Sequence, residues 1–112
     1  MIDSKVVKEI VETYRKYDWR LRRILTTADS RPVIEKALDG RLDYVTVGES
    51  NIDAAWFSRL PGFGPVAWEI RYLGGFPFAL LEMLDERSPE FEDMLGDVES
   101  RLAEALKAKT SA

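Results

Sequence analysis

Five carboxylates, Asp43, Glu49, Asp53, Glu69 and Glu82, fall in or beside the β-rich middle of the chain. Paired carboxylates can run acid–base chemistry when one is desolvated and its pKa rises. They can also hold a hard cation such as magnesium or calcium. Their spacing matches no cation loop, because no Asp-x-Asp-x-Asp-Gly run exists. Thr46, Ser50 and Ser58 are nucleophiles in type, but a serine needs a base beside it. The chain has no histidine and no cysteine, and Lys36 is the only lysine between residues 17 and 106. The same two absences remove disulfides, thiolate nucleophiles, ordinary zinc sites and c-type haem attachment. Pro61-Gly62-Phe63-Gly64-Pro65 lacks both the Gly-Lys-Ser/Thr and the Gly-x-Gly-x-x-Gly phosphate patterns. It reads as a strand connection with Phe63 tucked on the core, or as a contact loop.

One ligand-binding or catalytic set can be assembled from these residues. Asp53 and Glu69 would serve as acid–base groups or cation ligands, and Arg59 or Arg71 would fix an anionic substrate. It requires a concave pocket on which at least two of them converge. The competing reading makes Glu69 and Arg71 the solvated face of a strand, with Arg59 across from it.

A second set has the character of a contact surface. Trp19 lies among Arg15, Arg20, Arg22 and Arg23, off the apolar stripe of its neighbours. Tryptophan and arginine together are the residues of binding hot spots. Trp19, Arg20 and Arg23, with Trp56, Phe57 and Phe63, form the candidate partner-binding set. The alternative for Trp19 is a widened apolar face on which it folds over its own helix.

The elements that would carry these residues follow from periodicity. Apolar residues from Val6 to Ala28 recur at three- and four-residue steps, which predicts an amphipathic helix over about 4–28, capped by Asp3 or Ser4. Ser30 and Pro32 open a short second helix that Gly40 closes. Four strands follow, over 42–47, 52–60, 66–73 and 76–83. Gly74-Gly75 signals a two-residue turn, and Pro77 puts the last strand at an edge or starts its pairing after residue 77. Ser88 and Pro89 open a final helix to about 108. The expected fold is α+β, a four-stranded antiparallel meander with two N-terminal helices and one C-terminal helix packed on it. Residues 1–108 form one domain and 109–112 a frayed tail. Adjacent Trp56 and Phe57 point to opposite faces of their strand, so both sheet faces carry apolar residues. Either helices cover both, or one face is an interface.

The 112 residues carry a net charge of −4, a poor balance for general nucleic-acid binding. Residues 1–31 are basic and residues 82–99 strongly acidic, which reads first as two surfaces that complement each other within the fold. The charged N-terminus does not look like a signal peptide, and the longest apolar run, Phe76 to Leu81, is far short of the roughly 20 residues that cross a bilayer. The expectation is a cytoplasmic protein-interaction module without a cofactor, a metal or a membrane or nucleic-acid partner. It is expected to self-associate as a homodimer or to bind another protein rather than to catalyse.

Overall fold

The structure, a computed structural model, describes residues 2–60 and 66–111. Over these residues it is α+β, with three helices and a five-stranded mixed sheet. Helix α1 spans Ser4–Lys16, and the Asp3 side chain caps it by accepting from the Lys5 amide. Val7, Ile10 and Val11 form its buried stripe. The helix then stops at Lys16, about twelve residues earlier than the periodicity predicts. Asp18 takes a left-handed φ of 68°, which Asp tolerates better than most side chains. The Trp19 amide donates to the Tyr14 carbonyl (2.9 Å) and the Asp18 amide to that of Arg15 (3.0 Å). This is a Schellman ending, and its usual apolar contact is the edge of Trp19 against Tyr14 at 6.0 Å.

Strand β1 (Arg20–Thr26) therefore replaces the second half of the expected helix. Its pairing explains the misreading. Leu21 lies opposite Phe57 and Arg23 opposite Trp56, so Arg22 is an inserted bulge residue. The insertion places Leu21 and Ile24, three residues apart, on the same face. A bulged strand thus mimics helical spacing.

Helix α2 (Arg31–Ala37) follows, with Pro32 in its first turn, and the chain leaves it through Gly40 at a φ of 80°. Strand β2 (Thr46–Glu49) then pairs parallel with β1. This β1–α2–β2 crossover overturns the all-antiparallel expectation, which could not include a strand that read as helix. Asp53 stitches the crossover: its carboxylate accepts from Thr26 Oγ1, the Thr27 amide and Ser30 Oγ, each at 3.0 Å.

The remaining strands, β3 (Ala54–Arg59), β4 (Val66–Tyr72) and β5 (Ala79–Leu84), are the expected antiparallel meander, and the sheet order is β2-β1-β3-β4-β5. The connection from β4 to β5 is longer than a Gly74-Gly75 turn and is closed by the Tyr72 amide on the Phe78 carbonyl (2.8 Å). Strand β5 starts after Pro77 and lies at an edge, as the proline requires. Helix α3 (Phe91–Ser111) starts two residues after Pro89 and passes the expected end at residue 108. Lys109 lies over the Phe78 ring at 5.2 Å.

Candidate interaction surface

Helices lie on both faces of the sheet, but they cover them unequally. On one face, Ala54, Trp56, Trp68, Ile70 and Leu84 meet Phe91, Leu95, Val98, Leu102 and Leu106 of α3. Trp56 and Trp68 pack edge to face at 6.1 Å, Trp68 and Phe91 at 5.1 Å, and Trp56 Nε1 donates to Glu99 Oε2 (2.8 Å). The end of this core is closed by the arginines of β1. Arg22 lies 4.7 Å from the Trp68 ring centre and pairs with Glu86 at 2.7 Å. Arg23 lies over Phe91 and pairs with Glu92 at 2.6 Å. Both carboxyls are held below their ordinary range, chiefly by these arginine hydrogen bonds. The basic N-terminal third and the acidic 82–99 stretch thus meet inside one chain.

On the other face, Val7, Ile10 and Val11 of α1 and Ile34 of α2, with Leu38, pack on Ile24, Ala55, Phe57 and Leu73. The cover ends at Tyr14. Its ring stacks on Phe57 at 4.0 Å, and its hydroxyl donates to Glu69 on β4. Burial, then the Glu69 hydrogen bond, pushes the Tyr14 hydroxyl pKa well above its usual value.

Beyond Tyr14 the sheet is open. Glu69 lies opposite Leu81 and Ala67 opposite Met83, so both apolar side chains of β5 share the α1 side. No helix among the described residues packs there, and Leu81 and Met83 stand 56% and 53% exposed. Glu12 pairs with Arg41 beyond α2, so Val6 and Thr13 lie on the opposite flank of α1. Val6 and Tyr17 are exposed as well. The result is an apolar shelf about two strands wide, roughly 10 Å, walled by α1 and open at β5. Its two charges are engaged: Glu69 accepts from Tyr14, and Arg71 donates to the Tyr72 carbonyl.

The backbone of β5 is oriented to match. Because the Tyr72 amide bonds the Phe78 carbonyl, Leu80, Glu82 and Leu84 turn their peptide groups toward β4. Ala79, Leu81 and Met83 turn theirs outward from the sheet.

The sequence-predicted residues divide among these regions. Trp56 and Phe57 are wholly buried in opposite cores, so neither is a surface contact. Their opposite orientation was legible; their burial depended on helices covering both faces. Arg23 belongs to the Glu92 pair, and Arg20 is exposed at the start of β1. Trp19 is half-buried between Tyr14 and Arg59, whose guanidinium lies 6.0 Å from its ring centre. It does not project from a helix. Phe63 lies outside the described residues.

Of the alternative ligand set, Asp53 already accepts three hydrogen bonds at the crossover. Glu69 holds Tyr14, Arg71 caps the Tyr72 carbonyl, and Arg59 leans on Trp19. Asp53 lines the clefts beside Tyr72, whereas Arg59 lines the one beside Leu60 and Val66. Among the described residues, no group of three acidic, histidine or cysteine side chains could hold a metal ion, and no helix is long and apolar enough to cross a membrane. The shelf residues Val6, Tyr14, Leu81 and Met83 were not singled out from the sequence. The available signal was Pro77 ahead of a proline-free apolar run, which marks an edge strand.

No protein-family model, curated protein or solved structure matches this chain.

Proposed function

We propose that the protein works by polypeptide binding rather than catalysis. An extended segment of polypeptide adds to β5 as a sixth strand and lays alternate apolar side chains over the shelf. One observation carries this reading: Ala79, Leu81 and Met83 combine outward-facing peptide groups with side chains on the open face. Strand addition uses both features, main-chain hydrogen bonds for affinity and alternate side chains for specificity. Sheet edges are ordinarily guarded by lysine, proline, a bulge or short length. Strand β5 contains no lysine or proline over its six residues, and its single charge, Glu82, is paired with Arg101 at 2.5 Å. A cytoplasmic location belongs to the same proposal, supported by the cysteine-free composition.

The variant that tests the reading is Leu81→Pro. The Leu81 N–H points away from β4, so proline there leaves the β4 ladder intact and removes a donor from the outer edge. A fluorescent, lysine-flanked peptide of alternating valine and threonine is the probe. The wild-type chain is expected to raise its anisotropy, and Leu81→Pro to weaken binding by about tenfold or more. Equal binding by both chains, or binding by neither at protein concentrations where the wild-type chain is monomeric, would overturn the proposal.

A further inference from the structure

We infer that the strand docking on β5 is β5 of a second copy of this chain, antiparallel to the first about a two-fold axis through Leu81. This inference rests on reading β5 as a docking strand, and it commits that reading to one partner and one register.

The argument is one of elimination among registers. The outward peptide groups belong to Ala79, Leu81 and Met83, and they can bond only to outward groups of the other copy. The two-fold axis then passes through Leu80, Leu81 or Glu82. An axis through Leu80 sets Met83 opposite Pro77 of the second copy, which has no N–H to give. An axis through Glu82 sets two carboxylates directly opposite each other, where like charges destabilise a pair of strands. An axis through Leu81 avoids both faults. Leu81 then faces its own counterpart, and Ala79 faces Met83, so a small side chain meets a large one at each end. Every outward N–H and C=O of these three residues is bonded. Glu82 faces Leu80 of the second copy and keeps its own Arg101. On the open face, the two shelves join into one apolar floor between the two α1 helices, with Leu81 and Met83 of both copies along its centre. Neither copy has that floor alone.

The absence of cysteine makes the test direct, since each introduced thiol is unique in the chain. Leu81 and its counterpart would be a hydrogen-bonded pair with Cα atoms about 5.5 Å apart, inside the range a disulfide spans. Ala79 would lie about 14 Å from the second Ala79, as would Met83 from the second Met83, beyond that range. Under mild oxidation, Leu81→Cys is expected to form a disulfide dimer at least tenfold faster than Ala79→Cys or Met83→Cys alone. An equal mixture of Ala79→Cys and Met83→Cys is expected to give the cross-linked heterodimer. Light scattering should report twice the 12.8 kDa chain mass for the wild type and the single mass for Leu81→Pro.

Fastest cross-linking at residue 79 or 83 alone, or a wild-type chain monomeric at every concentration, would overturn the inference. A monomeric chain that still binds the valine–threonine peptide, and loses it with Leu81→Pro, would leave strand docking standing and remove only the second copy. Loss of both results would remove both.

Discussion

The two faces of this sheet differ in what their helices have to work with. Helix α3 is 21 residues long and lies across the central and β5 side of the sheet, placing five apolar side chains over β3, β4 and β5. On the opposite face, α1 and α2 are 13 and 7 residues long, and their buried residues sit over the β1–β3 half. The same strand β5 is therefore core on one side and exposed on the other. Its inward residue Leu84 is 6% exposed, whereas Met83 beside it is 53% exposed. An apolar strand residue is not core by its type alone; the helix opposite decides.

The two edges differ in the same way. Strand β2 is four residues long and includes Gly48 and the exposed Glu49, a short edge of the kind that resists further pairing. Strand β5 lacks these guards. Substitutions that act on one side or one edge sharpen this contrast.

The largest effect is expected at the covered face. Trp68→Ala removes a fully buried ring and the surface on which Arg22 rests, and should cost about 3–5 kcal/mol in urea unfolding. Leu81→Ala on the open face should cost under about 0.5 kcal/mol. If the two losses are equal, the difference between the faces is not real.

Proline separates the two sides of β5 in the next range of effect. Leu80→Pro removes a donor bonded to β4 and should cost about 1–3 kcal/mol by leaving an acceptor unpaired. Leu81→Pro should lower the urea midpoint much less, because its N–H faces outward. A reversed order would mean that the strand is turned the other way.

The boundary of the cover, at Tyr14, should respond to alkali. Its folded pKa lies above its ordinary value of 10.0. The stability it contributes is therefore complete below that ordinary value and is lost as pH rises toward the folded one. Tyr14→Phe should cost about 1 kcal/mol at neutral pH. The wild-type urea midpoint should fall more steeply than the variant's above about pH 10.

The smallest effect is expected at the Arg22–Glu86 pair, whose side chains are 27% and 42% exposed. The Glu86 pKa is lowered, so its contribution is present above the ordinary carboxyl value of 4.5 and is lost as pH falls below it. Glu86→Gln should cost about 0.5 kcal/mol after solvent screening, and should flatten the acid limb of the stability profile slightly.

Much of this architecture was legible in the residues. Asp3 as a cap, Pro32 in the first turn of α2, the opposite faces of Trp56 and Phe57 and the edge position after Pro77 each follow from local chemistry. Strand β1 was hidden for a physical reason. The inserted Arg22 converts a two-residue alternation into three-residue spacing, and Asp18, rather than a glycine, ends the helix before it. With β1 read as helix, the parallel pairing to β2 had no strand on which to form. The shelf was hidden for another reason: Leu81 and Leu80 differ only in which helix faces them, and helix length relative to sheet width is a property of the assembled fold.

The surplus residue in β1 has a consequence for how the strand could be rebuilt. Excising Arg22 would leave Leu21 opposite Phe57 and Arg23 opposite Trp56 in uninterrupted succession. The alternation of sides would survive the deletion. What would vanish is the flat cationic awning over the Trp68 indole, and with it the dry end of the aromatic layer. The extra link in the ribbon is thus a weatherproofing device, and a shortened chain should fold with the same topology while its tryptophan emission moves toward the red.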